Sequence, residues 1–340
     1  MVIYIQDYYN TFLTGGLKMN ILCELLGISY PIFQGGMGNI SNARLTSAVS
    51  EAGGLGTIGA GTMTPDELET IIVQTKGMTK KPFAVNIALG VSPYAEELIE
   101  LLVRHHVPVV SLSAGDPTPY VERFHEAGIK VVTVVGSVRH AQKAELAGTD
   151  VIVAEGYEAA GINSNYESTT LTLIPQIVDR VKVPVVAAGG IADGRGLAAL
   201  LILGASGVQI GTRFIATKEA PFSDEYKNRI LTATDNDTVI VGRTVNRVRR
   251  VLKTPYSKKL LEYERSENYT LDKFSELTSE KYHKIGAVEG NLEEGFINGG
   301  QISGLIQDIP SVQELIQRMI NEAEQRIYSL NNIITVKTNT

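Results

Sequence analysis

Cysteine is nearly absent from this sequence, because Cys23 is the only one among 340 residues. A single thiol excludes an intrachain disulfide and a thiolate metal cluster, and it fits a reducing compartment. An excess of basic residues is absent too, since the formal net charge is −6 at pH 7. This acidic balance argues against nucleic acid or an anionic membrane surface as the main partner. We expect no metal site.

Long apolar runs and targeting signals are also missing. No run approaches the ~20 residues that a membrane span needs. Residues 1–18 lack the basic start and apolar core of a secretory signal, so we expect a cytoplasmic protein. Met19 directly precedes the first patterned segment. We therefore expect residues 1–29 to be an N-terminal extension, with translation starting at either Met1 or Met19.

Short apolar runs, by contrast, recur eight times, each followed by a segment with helical spacing. They are rich in β-branched residues and stop at glycines or polar residues, which is typical of strands buried on both faces. The runs are 31–34, 55–60, 82–88, 107–112, 130–135, 150–154 and the two that begin at Val183 and Gly207. Such alternation predicts parallel strands, and eight of them close into a (β/α)8 barrel, the α/β fold known as the TIM barrel. We expect it to span residues 30–216.

Residues 217–285 lose this alternation and carry the charge runs Arg247–Lys253 and Lys258–Arg265. The segment is too long for a simple loop in a compact domain. We expect a mostly helical lid at the substrate region, with a solvated appendage that takes no part in chemistry as the alternative. Residues 286–330 then form a glycine-rich return segment and a closing amphipathic helix. Residues 331–340 are a polar tail.

Two glycine loops follow the seventh and eighth runs, at Gly189-Gly190 and at Gly211-Thr212. Glycines let backbone N–H groups line a concavity, and a following helix start adds partial positive charge. TIM barrels frequently bind phosphate at this place. The pattern predicts a phosphate site, with tight turns and no ligand as the alternative. Asn86 interrupts the third run near its carboxyl end, which points to the barrel mouth.

With these residues in hand, the chain resembles the nitronate monooxygenase family of flavin barrels, and within it the enoyl-acyl-carrier-protein reductase II branch. Eight stretches carry the resemblance in the same order as in the family. They are Tyr30–Met37, Ala52–Gly56, Val85–Ile87, Glu122–Ile129, Ala154–Gly156, Ala187–Gly194, Gln209–Phe214 and Gly300–Gly304.

The resemblance implies an FMN-dependent oxidoreductase that takes electrons from NADH or NADPH. By position, it implies that the ribityl phosphate is held by Gly190, Gln209, Ile210, Gly211 and Thr212. The isoalloxazine ring would lie beside Asn86, Glu155 and Ala160, over a floor of Gly36 and Met37. Gly161 and Gly189 complete the cofactor-binding set.

One position departs from the family. Its members carry a histidine directly after the glycine that corresponds to Gly161, and here that residue is Ile162. Isoleucine cannot transfer a proton, so the usual general acid or base is absent and the catalytic residue stays open. Tyr157 and Tyr166 flank this loop and could donate a proton, with aromatic packing as the alternative reading. Among the histidines, only His283 in the lid is kept as a candidate.

Three functions remain in competition. The leading one is the reduction of an activated alkene, such as an enoyl thioester, by NAD(P)H through FMN. The second is nitronate monooxygenation, in which an already anionic nitronate needs no base. The third is a catalytically idle barrel that binds FMN or senses a metabolite. The expected partner is a small molecule or acyl thioester, with acyl carrier protein as one candidate carrier. The oligomeric state is open, with a homodimer as one option.

Overall fold

The computed structural model describes residues 20–40 and 42–334. Within them, eight parallel strands form one sheet. The strands are β1 Ile32–Gln34, β2 Gly56–Gly59, β3 Phe83–Ala88, β4 Val109–Ser113, β5 Lys130–Val135, β6 Val151–Glu155, β8 Val185–Ala188 and β9 Gly207–Ile210, whereas β7 Gly161–Ile162 belongs to a second sheet. Their order in the sheet is β1-β9-β8-β6-β5-β4-β3-β2. The predictions for Met1–Lys18 and for the tail beyond residue 334 lie outside the described residues.

The two ends of this sheet meet and complete a barrel. On one side β1 pairs with β9, with Ile32 beside Val208. On the other side the N–H of Gln34 donates to the carbonyl oxygen of Leu55 over 2.9 Å, and the N–H of Leu55 donates to the oxygen of Ile32 over 2.9 Å. The predicted TIM barrel is confirmed.

Helices connect the strands and cover the outside of the barrel. They are Ala43–Glu51, Pro65–Met78, Ala95–Arg104, Val121–Glu126, Val138–Leu146, Thr170–Val178, Gly194–Ile202 and the short Thr212–Ile215. The local sequence specifies the starts of four of them, where Asn42, Thr64, Ser137 and Asp193 each accept a hydrogen bond from a backbone N–H of the first turn. At the second helix, Thr64 and Glu67 form a reciprocal capping box around Pro65, which satisfies two backbone donors that the first turn leaves unpaired.

A short helix, Ile21–Leu26, closes the amino-terminal end of the barrel. Its Leu22, Cys23 and Leu26 are buried in one cluster with interior residues such as Phe33 and Val109, which lie near the starts of their strands. Residues 20–29, assigned from the sequence to an extension, thus contribute to the barrel core. Burial raises the pKa of the Cys23 thiol to about 11, so this cysteine is a packing residue and not a nucleophile.

Residues beyond the barrel build a cover over its other end. Four helices, Asp224–Leu231, Pro255–Glu264, Leu271–Leu277 and Glu280–Ala287, surround an antiparallel hairpin of β10 Thr238–Val241 and β11 Arg249–Leu252. A two-residue strand in the barrel loop, β7 Gly161–Ile162, pairs with β11. The sequence analysis did not predict these strands. They join this cover to the barrel loop that carries Ile162.

The chain then returns to the barrel. A 3-10 turn spans Gln301–Leu305, and the closing helix runs from Val312 to Ile334, four residues beyond the predicted end. It packs on the helix Gly194–Ile202, where the carboxylate of Glu322 accepts a hydrogen bond of 2.9 Å from the N–H of Gly194. Among the described residues, no helix is long and apolar enough to cross a membrane.

Candidate active site

The loop after β1 lies against β3 at the carboxyl end of the barrel. A Cβ atom on Gly36 would lie 2.9 Å from the Oδ1 atom of Asn86, so a side chain there would displace this amide. Asn86 donates through Nδ2 to the carbonyl oxygen of Ser111 over 3.2 Å and to its hydroxyl over 3.1 Å. It also donates to the hydroxyl of Ser113 over 3.2 Å. Because β4 anchors the amide, Asn86 holds one position at the mouth.

The same loop also contacts β9. A Cβ on Gly35 would lie 3.8 Å from the side chain of Gln209, and one on Gly211 would lie 3.5 Å from Cγ of Met37. Met37 has a φ of 51°, in the left-handed region that non-glycine residues seldom occupy. The predicted residues Gly36, Met37, Asn86, Gln209 and Gly211 are therefore brought together. Because β1, β3 and β9 belong to one parallel sheet, their carboxyl ends bring these residues to the same end of the barrel.

The loops after β8 and β9 form a cradle of backbone donors. Gly189 and Gly190 have φ values of 92° and 79°, which favour glycine. Within the described part of the chain, the N–H groups of Gly190 and Gly211 donate to no other group. Unpaired N–H groups in glycine loops suit an oxyanion such as phosphate.

The return segment closes over this cradle. The N–H of Gly300 donates to the hydroxyl of Thr212 over 3.0 Å, and the N–H of Gln301 donates to the carbonyl oxygen of Glu158 over 2.9 Å. A Cβ on Gly300 would lie 3.6 Å from the nitrogen of Ala160. Gly300, which lies 88 residues after Thr212, thus contacts both of the predicted residues Thr212 and Ala160.

Glu158 is a carboxylate that the sequence analysis did not single out. It lies beside Gly190 and accepts hydrogen bonds from the N–H of Thr170 over 2.9 and 3.1 Å and from its hydroxyl over 2.9 Å. It therefore caps the helix Thr170–Val178, whose N-cap residue Thr169 makes no side-chain cap. The helix start offsets the negative charge on this side of the cradle.

Glu155 ends β6 and is partly buried at the mouth. Burial raises the pKa of its carboxyl group to about 8, and no described residue forms a hydrogen bond with the carboxyl. A carboxyl group with this pKa is mostly protonated at neutral pH, so it can donate a hydrogen bond to a ligand. The other predicted members of this wall, Ala160 and Gly161, follow in the loop after β6.

Ile162 lies on β7 with 49% of its surface exposed, directly opposite Arg249. The tyrosines on either side have different surroundings. The Tyr157 hydroxyl accepts a hydrogen bond from Arg243, and its ring lies 4.7 Å below the Arg250 guanidinium. Tyr166 is 64% exposed and neighbours His140 on an outer helix. Neither tyrosine hydroxyl is therefore placed as a free proton donor at the mouth.

His283 is the histidine that lies near this loop. It is 3% exposed, with Nδ1 3.0 Å from a carboxylate oxygen of Glu280 and Nε2 3.0 Å from Nδ2 of Asn298. Asn298 in turn lies 3.9 Å from the Cβ position of Gly161. By contrast, His105 and His125 pair with Glu69 and Asp150 on the barrel's outside.

Asn298 and Arg249 are mouth residues that the sequence analysis missed. Asn298 directly precedes the Gly299-Gly300 pair, and this position was the available signal. Arg249 lies in the charge run Arg247–Lys253, and such runs are typical of a solvated face, so the sequence did not single it out. Among the described residues, no group of three or more histidine, cysteine, aspartate or glutamate side chains is placed to hold a metal ion.

Comparisons with known proteins agree with this architecture. The family model described as nitronate monooxygenase matches residues 19–98 and 86–322. A (3aS,4S,5R,7aS)-5-hydroxy-7a-methyl-1-oxo-octahydro-1H-indene-4-carboxyl-CoA dehydrogenase from Mycobacterium tuberculosis is 34% identical and covers 92% of this chain and 98% of its own. A probable nitronate monooxygenase from Staphylococcus saprophyticus is 33% identical, with 88% and 96% covered.

A solved structure matches the fold over almost its full length. FabK from Thermotoga maritima superposes with a TM-score of 0.88 at 41% identity, and the match covers 93% of this chain and 99% of FabK. The family model spans most of the chain, and the relatives are more than 30% identical to it. Together they assign the chain to one family. This chain belongs to the nitronate monooxygenase family, and it is an oxidoreductase of the flavin-dependent kind.

Proposed function

We propose that this protein is an FMN-dependent NAD(P)H oxidoreductase that reduces the activated alkene of an acyl thioester. The observation that carries the cofactor assignment is that Gly190 and Gly211, in the loops after β8 and β9, have N–H groups without a hydrogen-bond partner among the described residues. The 41% identity to FabK and the CoA thioester named for the mycobacterial relative support the substrate class. The thioester is carried by CoA or acyl carrier protein.

The residues at the mouth fit FMN. The hydroxyl of Thr212 accepts from Gly300, which leaves its own proton available for a phosphate oxygen. Gly36, Met37, Asn86, Glu155, Ala160 and Gly161 would surround the ring, and Gly189, Gly190, Gln209, Ile210, Gly211 and Thr212 the phosphate end. Bound FMN would supply the hydride chemistry, which protein side chains lack.

The chain's own groups would orient the cofactor and the substrate. The Nδ2 group of Asn86 is held by two serine hydroxyls, so its Oδ1 atom would accept a hydrogen bond from a ligand in a fixed direction. The protonated carboxyl of Glu155 would donate a hydrogen bond that an ionised carboxylate could not. The lid, joined to the β6 loop through the β7–β11 pairing, would exclude water from the mouth.

Nitronate oxidation is the second candidate, and Ile162 is the observation that favours it. A nitronate is already an anion, so its oxidation needs no base at this position. An aliphatic residue there would hinder enoyl reduction more, because that reaction must also protonate a carbon atom. A barrel that binds FMN without turnover is the third candidate.

The visible spectrum of the purified protein separates these functions. The visible absorption bands of bound oxidised flavin should bleach on anaerobic addition of NADH or NADPH. Crotonyl-CoA should then restore them without oxygen. Restoration by oxygen only, together with oxidation of ethyl nitronate in air, would favour the second candidate. Bands that never bleach would leave a binding protein, and a colourless protein that takes up no FMN would refute the cofactor.

A further inference from the structure

The lid hairpin places Arg249 directly opposite Ile162, the position where the proton-transferring residue is missing. Directly opposed residues of an antiparallel pair project from the same face of the sheet. The guanidinium of Arg249 and the side chain of Ile162 therefore face the same space, while Arg250 and Gly161 lie on the other face. Arg250 is 3% exposed and satisfied, with hydrogen bonds of 3.1 and 2.9 Å to the carbonyl oxygen of Tyr157.

Arg249 differs from its neighbour because its guanidinium has no hydrogen-bond partner among the described residues. Its Nε atom is inaccessible to solvent and unpaired. Its guanidinium carbon lies 5.1 Å from the centroid of the Phe296 ring. The Glu280 carboxylate lies near enough to oppose the lowering of the Arg249 pKa by burial, and the group stays charged because arginine does not deprotonate in proteins.

A second unpaired polar atom lies in the same cluster. The Oδ1 atom of Asn298 is buried without a partner, while its Nδ2 atom contacts His283. His283 stacks on Phe296 at 5.1 Å, the ring that also contacts Arg249. Buried polar groups in native proteins are nearly always hydrogen-bonded, so two unpaired ones around one ring indicate a ligand that pairs them.

We propose that the Arg249 guanidinium binds the thioester carbonyl oxygen of the substrate and stabilises the negative charge that develops there. This inference rests on the proposed function. In the reduction, the β-carbon of the alkene gains a hydride that originates from NAD(P)H, and the alkene electrons move onto the thioester oxygen as an enolate. A proton from solvent then adds to the α-carbon and restores the carbonyl. Arg249 supplies charge and hydrogen bonds to the oxygen and transfers no proton.

This role compensates for the lack of a proton-transferring residue at position 162, although Arg249 itself transfers no proton. An enolate that is stabilised by a guanidinium survives until solvent protonates it, so a placed acid is not required. Removal of one such donor from an oxyanion site typically lowers kcat by about 10²–10³-fold. The substrate oxygen also explains why a charged group lies unpaired next to an aliphatic residue.

The test uses the holoprotein and three variants: Arg249→Met, Arg249→Lys and the control Arg247→Met, an exposed arginine two residues earlier. Binding of acetoacetyl-N-acetylcysteamine thioester to the oxidised holoprotein is measured by calorimetry, and turnover is measured with the crotonyl thioester of N-acetylcysteamine. Flavin reduction by NAD(P)H and the unfolding temperature are measured in parallel. Guanidinium chloride at low millimolar concentration is added to Arg249→Met.

For Arg249→Met we expect normal flavin reduction, at least tenfold weaker acetoacetyl thioester binding, and crotonyl turnover about 10²-fold lower with partial rescue by guanidinium. Its unfolding temperature should match or exceed that of the wild type, because a partly buried charge without a hydrogen-bond partner is replaced by an apolar chain. Arg249→Lys should be intermediate, and Arg247→Met should match the wild type.

Two results would overturn the assignment of Arg249. One is thioester binding and turnover at wild-type levels in Arg249→Met. The other is a drop in unfolding temperature accompanied by loss of flavin, which would make Arg249 a structural residue. The proposed function fails separately, if the wild type bleaches with NAD(P)H but never reduces the crotonyl thioester. In that case the binding comparison still decides whether Arg249 holds a thioester oxygen.

Discussion

The hydroxyl of Thr212 accepts a hydrogen bond of 3.0 Å from the backbone N–H of Gly300, so the loop after β9 and the return segment share one polar contact. The contact is buried and joins residues 88 positions apart. Because the hydroxyl accepts there, its proton remains available to a ligand in the cradle. One side chain thus closes the site and offers a donor to it.

Replacement of Thr212 by valine should weaken FMN binding. The variant loses a donor to a charged phosphate and leaves the Gly300 N–H unpaired, so we expect a loss of about 1.5–3 kcal/mol in binding free energy. Fluorescence titration of the apoprotein with FMN measures this loss. Thr232→Val, at an exposed helix end, is the matched control. Equal FMN affinity in Thr212→Val and wild type would remove Thr212 from the site.

Replacement of Gly211 by valine tests the cradle itself. Its φ of −115° is ordinary, so valine strains no backbone. The new side chain would instead meet Met37 and screen the unpaired N–H from a phosphate oxygen. We expect a loss of FMN affinity of at least tenfold with little change in the unfolding temperature of the apoprotein. Gly77→Val, at a position with open space around it, controls for the substitution. Unchanged affinity would place the phosphate elsewhere.

Replacement of Asn86 by leucine should affect both stability and the flavin. The amide forms hydrogen bonds with Ser111 and Ser113, so its loss leaves two hydroxyl groups without this partner. We expect the free energy of unfolding to fall by about 1–3 kcal/mol. The bound flavin should show a shifted absorption spectrum, because a polar neighbour at its edge is gone. Ser113→Ala, which removes one of the same hydrogen bonds at the barrel rim, should give the smaller stability loss. A destabilised Asn86→Leu with an unaltered flavin spectrum would restrict Asn86 to a structural role.

Glu155 should produce a pH dependence that glutamine removes. The folded-state pKa of about 8 is above the ordinary value, so the folded protein holds the proton more tightly than the unfolded chain does. Stability from this group is complete below the unfolded pKa of about 4.3 and is lost as pH rises through about 8. Denaturant unfolding of the apoprotein at pH 5, 7 and 9 should therefore show that the free energy of unfolding of the wild type falls relative to that of Glu155→Gln as pH increases. Parallel pH profiles would contradict the raised pKa.

Replacement of Ile162 by histidine should speed enoyl reduction while leaving flavin reduction unchanged. Hydride transfer from NAD(P)H needs no protein acid, whereas protonation of the α-carbon gains about 10²–10⁴-fold from a placed acid. Arg249 lies opposite this residue and disfavours imidazolium, so the gain should fall toward the lower end. Stopped-flow rates of the two half-reactions separate the steps. Ile162→Leu is the control, and equal enoyl rates for histidine and leucine would show that protonation does not limit turnover.

The eight-stranded barrel could be predicted from the sequence because its signals are local. Each strand is a short apolar run that ends at a glycine or polar residue, and several helix starts carry their own side-chain cap, as Thr64 and Glu67 do. The predicted third run, 82–88, differs from β3 by one residue. The glycine loops after β8 and β9 could be located in the same way, and Gly189 and Gly190 adopt the positive φ that favours glycine. That these loops bind a cofactor stays a prediction.

The lid hairpin could not be predicted from its own residues. Arg249 and Arg250 lie in a run of basic residues, which locally resembles a solvated surface. Arg250 is buried because the carbonyl oxygen of Tyr157, 93 residues earlier, accepts its hydrogen bonds. No pattern within the run encodes a partner at that distance.

The amino-acid sequence by itself determined the barrel, its glycine loops and the aliphatic side chain at Ile162. Only the tertiary structure decided which groups surround that position. It brought Arg249 opposite Ile162 through strand pairing. It also placed Asn298 within 4 Å of the Gly161 Cβ position and His283 beside Asn298. The physical reason is that periodicity and capping act over a few residues, whereas the pairing of a buried charge depends on chain segments that meet only when the lid folds over the barrel.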